Sequence, residues 1–90
     1  MSTNDLISNN AAYAEGFEYG ELPKEPARKL SVVVCMDARI DVHRVLGLEP
    51  GEAHVMRNAG GAVTDDVIRS LAVSQRALGT EEIVLIRHTK

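Results

Sequence analysis

The chain has 90 residues, a net charge of −3, 44% hydrophobic residues and 3% aromatic residues. This length allows a single domain, and the slight acidity with few aromatic side chains argues against nucleic acid as a partner. A lone cysteine excludes an internal disulfide and favours a reducing, cytoplasmic location. No apolar run is long enough for a membrane helix and no secretory signal is present, which argues against a membrane protein.

Residues 1–28 are predicted to form an N-terminal arm and linker. The stretch TNDLISNNAAYAEGF predicts a short helix that begins at Thr3 or Asn4 and ends near Gly16. The stretch GELPKEPARK contains two prolines and predicts an extended linker. The remaining residues, 29–90, carry the strand and helix patterns of an α/β domain.

The first half of this domain begins with LSVVVC, which is short, apolar and β-branched. This pattern is typical of a strand that is buried on both faces. The stretch ARIDVHRVLGL predicts a helix that directs Ile40, Val45 and Val42 inward and ends at Gly47. After a turn, a second strand is predicted from Ala53 to Arg57.

The second half is predicted to contain a helix and a strand. Thr64 suits the helix cap, Asp65 and Asp66 suit its first turn, and Gly79 suits its end. The predicted apolar face consists of Val67, Ile68, Leu71, Ala72 and Leu78. A third buried strand is predicted from Ile83 to Ile86. The order strand, helix, strand, helix, strand is typical of right-handed βαβ crossovers and a parallel sheet.

Reactive side chains follow two of the predicted strands. Cys35 ends the first strand and His88 follows the third, so neighbouring strands would bring both residues to the edge where parallel sheets bind ligands. Asp37 and Arg39 follow Cys35 at two-residue steps. Zinc is bound by cysteine sulfur, histidine nitrogen and carboxylate oxygen, which makes Cys35, Asp37 and His88 candidate metal ligands. Arg39 would compete for the carboxylate of Asp37 through a bidentate ion pair.

The same residues allow other interpretations. Cys35 and His88 could form a metal-free nucleophilic pair. A phosphatase-type loop fits less well, because only three residues separate Cys35 from Arg39. Cys35 could also be a small buried core residue, and Asp37 and Arg39 could be a helix cap and a solvated ion pair. His88 could lie in a surface turn.

The stretch RNAGGAVTDD predicts a glycine-containing bend that leads into a helix. Its backbone amides could hold an anion, with Arg57 and Asn58 as polar groups at its border. It lacks both common glycine-rich phosphate patterns, and a simple tight turn explains it equally well. His54, inside the second strand, is predicted to be structural.

Four segments taken together, CMDARID, HVMRNAGG, TDDVIRSLAVS and EEIVLIRHTK, resemble the β-class carbonic anhydrases. The resemblance spans about residues 32–90. Two of the three family motifs are present, as Cys35/Asp37/Arg39 and Arg57-Asn58-Ala59-Gly60. The third motif, His-x-x-Cys, begins at His88, but the sequence ends at Lys90 before its cysteine. A truncated form of the family's α/β fold is therefore expected.

The resemblance implies a zinc cofactor and the reversible hydration of carbon dioxide to bicarbonate. Cys35 and His88 would hold zinc together with the absent cysteine, and the metal would activate a water for attack. Asp37 would orient this water, or would occupy the fourth metal position when Arg39 releases it. Substrate would be bound by Asn58, Ala59 and Gly60. A homodimer or tetramer is also implied, in which the arm embraces a partner subunit.

Three functional hypotheses follow from the sequence. The first is a carbonic anhydrase whose activity is impaired in this chain because one zinc ligand is missing. The second is a non-catalytic relative that associates through the same surfaces, with zinc absent or half-bound. The third is an enzyme that uses Cys35 and His88 without metal. Carbon disulfide or carbonyl sulfide hydrolysis would use the same zinc chemistry as carbon dioxide hydration.

Overall fold

A three-stranded parallel sheet forms the centre of the computed structural model, which describes residues 2–89. The elements in chain order are α1 (Thr3–Glu15), β1 (Leu30–Cys35), α2 (Val42–Leu46), β2 (Ala53–Asn58), a 3-10 turn (Ala59–Gly61), α3 (Asp65–Arg76) and β3 (Glu82–Leu85). The strand order is β2-β1-β3, so β1 is central. The predicted α/β fold with a parallel sheet and an N-terminal helix is confirmed. Met1 and Lys90, the outer ends of the predicted arm and domain, lie outside the described residues.

Helix α1 begins at Thr3, one of the two predicted start residues, and Ser2 caps it. The Ser2 hydroxyl accepts a hydrogen bond from the Asp5 amide, and the Asp5 carboxylate accepts one from the Ser2 amide. This reciprocal capping box satisfies two backbone donors that a helix start leaves unpaired. The helix ends at Glu15 with Gly16 as its C-cap, close to the predicted end, and none of its residues is buried. Within residues 2–89, no helix is both long enough and apolar enough to cross a membrane.

Strand β1 is buried on both faces, as its apolar sequence predicts. Val32 and Val34 form the core with Val42 of α2 on one face. Side chains alternate along a strand, and Ser31 therefore points to the opposite face, where it contacts α3. Val33 is also completely buried. By the same alternation Cys35, at the end of the strand, belongs to the α3 face.

Helix α2 is shorter than predicted and buries fewer residues. Asp41 caps it, and Gly47 ends it in the left-handed conformation at φ 67°. Val42 is buried and Ile40 packs at the edge of the core, as predicted. The prediction for Val45 is wrong, since this side chain is 60% exposed. A helix of little more than one turn presents only a narrow stripe to the sheet.

Helix α3 begins at the predicted cap, where the Thr64 hydroxyl accepts a hydrogen bond from the Val67 amide. Its inward face follows residues 67, 71, 74 and 78, a spacing of three and four residues. Ile68 lies outside this stripe and is exposed, so its predicted burial is wrong. The helix ends at Arg76, before the predicted stop at Gly79.

Strand β3 forms at the predicted place, but it is less buried than predicted. Val84 packs against the core, whereas Ile83 and Leu85 are exposed. The apolar run indicated a strand covered on both faces. In residues 2–89, β3 is instead an edge strand, and α3 packs over β1 and β2.

A buried hydrogen-bonded cluster joins β1 and β2 to α3. The Ser74 hydroxyl lies 2.6 Å from that of Ser31, 2.8 Å from that of Thr80 and 2.6 Å from Nδ1 of His54. Nε2 of His54 lies 3.3 Å from the Lys24 carbonyl oxygen. Buried hydroxyls require such partners. His54 therefore has the structural role that the sequence predicted.

Candidate metal centre

The carboxyl ends of β1 and β3 bring Cys35 and His88 together. The two strands pair in parallel, so their carboxyl ends lie at the same edge of the sheet. The His88 side chain hydrogen-bonds to the Cys35 thiol. This bond is the main cause that lowers the pKa of Cys35 from its ordinary value of 9.0 to about 7. The backbone N–H groups of Asp37 and Gly60 face the sulfur and lower this pKa further. A substantial thiolate fraction is therefore expected at neutral pH.

Asp37 and Arg39 form a tight ion pair beside this thiol. The Arg39 Nη2 atom lies 2.6 Å from Oδ2 of Asp37, and the Arg39 Nε atom lies 3.0 Å from Oδ1. The Arg39 backbone amide also donates to Oδ1 at 2.8 Å. These bonds from Arg39 hold the pKa of the Asp37 carboxyl well below its usual range and raise the pKa of Arg39. The side chain of Asp37 is only 18% exposed, whereas that of Arg39 is 71% exposed.

The bend after β2 contacts the residues on β1. The Gly60 amide donates to Sγ of Cys35 at 3.3 Å, and Gly60 has the left-handed φ of 83° that glycine permits. The side chain of Asn58 closes the bend: its Nδ2 donates to the Ala62 carbonyl, and its Oδ1 accepts from the Ala62 amide, both at 2.8 Å. The bend is thus a tight turn in which the Asn58 side chain and the Gly60 amide are hydrogen-bonded to other groups of the protein.

Arg57, predicted as a polar group at the border of the bend, directs two of its guanidinium nitrogens to backbone carbonyls of the protein. Nε and Nη2 donate to the Cys35 carbonyl at 3.0 and 2.8 Å, and Nη2 also donates to the Asp37 carbonyl at 2.9 Å. This role of Arg57 was not predicted from the sequence. The signal for it is the position of Arg57 at the end of the strand that neighbours β1.

Gly61 and Arg87 also contribute to this region, and neither was predicted from the sequence. Gly61 has a φ of 62°, and a Cβ at this residue would lie 2.9 Å from the Cys35 nitrogen. Arg87 donates to the Gly61 carbonyl at 2.5 Å. The two adjacent glycines in the sequence are the only signal for such a close approach of two backbones.

The predicted ligands come together only in part. Among residues 2–89, no group of three or more histidine, cysteine, aspartate or glutamate side chains is placed to hold a metal ion. Cys35 and His88 are in contact, and their sulfur and nitrogen donors suit zinc. The Asp37 carboxylate is bound by Arg39 instead. Metal binding by Cys35, Asp37 and His88 stays a prediction.

A family model described as carbonic anhydrase matches residues 30–90. The chain is 61% identical over 87 residues to β-carbonic anhydrase 1 of Mycobacterium tuberculosis, which covers 97% of this chain and 53% of that protein. It is 52% identical over 65 residues to a carbon disulfide hydrolase of Acidithiobacillus thiooxidans, covering 70% of this chain and 33% of the relative. The chain thus spans about half the length of its mycobacterial relative.

Solved structures show the same likeness. The crystal structure of carbonic anhydrase from Streptococcus mutans has a TM-score of 0.85 and 49% sequence identity, with 92% of this chain and 51% of that chain covered. Tetrameric β-carbonic anhydrases from Sordaria macrospora are similar at a TM-score of 0.61 and 27% identity, with coverage of 97% and 46%.

Proposed function

The chain belongs to the β-class carbonic anhydrase family, and from this membership we propose that it serves the zinc-dependent, reversible hydration of carbon dioxide to bicarbonate. The observation that most supports this proposal is the contact between Cys35 and His88 at two neighbouring strand ends. The Asp37–Arg39 ion pair lies next to this contact and has the family's motif spacing.

Cys35 and His88 would hold the zinc ion. The donor types fit, since zinc is commonly bound by thiolate and imidazole, and a pKa of about 7 at Cys35 favours the thiolate that a metal requires. When bound, zinc acts as a Lewis acid that lowers the pKa of water to about 7. Asp37 is the further candidate ligand, once Arg39 releases its carboxylate.

Asp37 would orient the attacking water. Arg39 keeps the Asp37 carboxylate ionised, and an ionised carboxylate only accepts hydrogen bonds. A water that donates to Asp37 therefore has a lone pair free for attack on the substrate carbon. Arg39 would act through Asp37 by holding the carboxylate in place.

Asn58, Ala59 and Gly60 would line the substrate position. The Gly60 amide bonds to the Cys35 sulfur and Asn58 is the register partner of Cys35, which supports this assignment. The Asn58 side chain and the Gly60 amide already have partners within the protein, so they would shape the position rather than bind the substrate directly.

The chain would work as a cytoplasmic homodimer or tetramer. We propose residues 1–28 as an arm and residues 29–90 as the zinc-site domain. Helix α1 buries no residue, which supports packing of the arm on a partner subunit. The exposed large apolar side chains of the arm are Leu6, Ile7, Tyr13, Phe17, Tyr19 and Leu22.

The 90-residue chain by itself is expected to have impaired activity. It contains one cysteine, and the described residues offer a sulfur–nitrogen pair without a third placed ligand. The same observation favours a second candidate, a non-catalytic relative that assembles with its metal site empty or half-filled.

Metal content and turnover of the purified chain separate these candidates. The chain would be loaded with zinc, analysed by mass spectrometry for bound metal, and assayed for carbon dioxide hydration by stopped flow. Cys35→Ser is the matched control, because it removes the sulfur ligand and changes little else. Zinc at about one ion per chain and a rate above that of Cys35→Ser would support the enzyme.

Two other outcomes decide against the proposal. A folded oligomer that retains no zinc and has no activity would establish the non-catalytic candidate. Hydrolysis of carbon disulfide, measured as sulfide release, without hydration of carbon dioxide would reassign the substrate. Light scattering on the same samples tests the dimer or tetramer, and a monomer would contradict the proposed assembly.

A further inference from the structure

Arg57 connects the two residues on which the proposed site depends. Its guanidinium reaches from β2 to the end of β1 and donates to the backbone carbonyls of Cys35 and Asp37. Two of these bonds end on one oxygen, that of Cys35, and the third ends on the oxygen two residues later. The spacing of the donors on one planar group fixes the distance between the two carbonyls.

These carbonyls lie where the sheet stops providing partners. The Met36 amide still donates to the Asn58 carbonyl at 2.8 Å, where the paired register of β1 and β2 ends. Backbone carbonyls that lose their ladder partner need another donor or water. Arg57 supplies that donor to the Cys35 carbonyl and adds a second donor to the Asp37 carbonyl, which also accepts from the Ile40 amide at 3.1 Å.

The same segment of β2 also holds the Cys35 side chain, since the Gly60 amide donates to its sulfur. Residues 57–60 therefore hold Cys35 at its carbonyl oxygen and at its sulfur. Asp37 is held at its carbonyl by Arg57 and at its carboxylate by Arg39. Arg57 is the side chain that contacts both residues.

We propose that Arg57 is a positioning residue of the carbonic anhydrase site, which fixes Cys35 and Asp37 relative to each other through their backbone carbonyls. This inference rests on the proposed function. The role of Arg57 depends on the planar guanidinium group of arginine rather than on positive charge alone. A lysine offers one compact ammonium and cannot reproduce the bidentate geometry.

The test compares Arg57→Lys and Arg57→Gln with the control variant Arg69→Lys. Arg69 is exposed on α3, where it forms a 3.7 Å ion pair with the exposed Asp66. Zinc affinity is measured by competition with a chromogenic chelator. Outer-shell partners of metal ligands typically contribute about 10–100-fold to affinity or activity. Both Arg57 variants should weaken zinc binding by that factor, while Arg69→Lys should leave it unchanged.

A second measurement needs neither zinc nor activity. Amide hydrogen exchange at Met36, in the metal-free chain, reports local opening of the segment that Arg57 holds. Both Arg57 variants should exchange faster at Met36 and keep the protection of Val33 within β1. Faster exchange at both amides would mean a general loss of stability, and it would overturn a positioning role.

The results distinguish this inference from the proposed function. If the unaltered chain hydrates no carbon dioxide, the proposed function fails, and exchange at Met36 still decides on Arg57. If Arg57→Lys and Arg57→Gln exchange at Met36 like the unaltered chain, the positioning role is wrong. Unchanged zinc affinity in both variants leads to the same conclusion. In an active protein, kcat should fall about 10–100-fold with little change in KM, because the loss affects geometry at the reacting centre.

Discussion

Gly61 provides a direct test of how closely the bend packs against the end of β1. Its φ is 62°, and a Cβ added there would lie 2.9 Å from the Cys35 nitrogen and 3.0 Å from the Val34 carbonyl carbon. Both are backbone atoms of the central strand, and neither can move without shifting the strand. We therefore expect Gly61→Ala to destabilise the chain strongly.

Gly79 is the matched control for the backbone contribution. It has a similar φ of 76°, but nothing lies within 4 Å of an added Cβ. A left-handed conformation costs an L-residue about 1–2 kcal/mol, and Gly79→Ala should lower the free energy of unfolding by that amount. Overpacking adds about 1–3 kcal/mol, so Gly61→Ala should lower the free energy of unfolding by about 2–5 kcal/mol. A chain of this length has a free energy of unfolding of roughly 5–13 kcal/mol.

Urea unfolding followed by circular dichroism measures the difference. The two variants would be compared at the same chain concentrations, because association raises apparent stability. The loss of flexibility in the unfolded state is the same for both glycine-to-alanine changes, and it cancels in the comparison. A free-energy loss in Gly61→Ala no larger than that in Gly79→Ala would refute the close-packing argument.

Three further predictions concern the buried cluster and the site. Ser74→Ala should lower the free energy of unfolding by about 1–3 kcal/mol, because Nδ1 of His54 loses its hydroxyl partner while Ser31 and Thr80 keep only their 3.2 Å bond to each other. In urea unfolding, Ser70→Ala should change it by less than about 0.5 kcal/mol, and equal losses would contradict the cluster's role. In the metal-free chain, iodoacetamide should alkylate Cys35 with a rate that rises with pH around a midpoint of about 7. His88→Ala should move this midpoint upward, and an unmoved midpoint would argue against the thiol–imidazole bond. Asp37→Ala should reduce carbon dioxide turnover in stopped flow and spare most of the bound zinc; unchanged turnover would remove Asp37 from the mechanism.

Features that depend on neighbouring residues in sequence could be predicted from the sequence. The Thr64 cap and the Gly47 stop are examples, because each is set by one side chain or one φ angle next to a helix end. The parallel sheet also follows from the order of its elements. The contact between Cys35 and His88 required one further step, namely that β1 and β3 are neighbours.

Burial was harder to predict, because it depends on what covers each face. Val45 and Ile68 carry the same side-chain chemistry as the buried Val42 and Val67, yet they lie outside the stripes that meet the sheet. The polar cluster around Ser74 was missed for a related reason. A serine in an apolar helix face has no partner within its own helix: Thr80 lies beyond the helix end, and His54 and Ser31 are 20 and 43 positions away in the sequence.

The contacts around Cys35 and Asp37 differ in a way that affects the chemistry. Cys35 is held at its carbonyl by Arg57 and at its sulfur by Gly60 and His88, and its nitrogen lies against Gly61. Moving it would require several backbone segments to move together. The Asp37 carboxylate depends on one partner, Arg39, whose side chain is 71% exposed. Exposed ion pairs contribute little net stability. We therefore expect any change of state in this site to begin with Arg39, while the position of the sulfur ligand stays fixed.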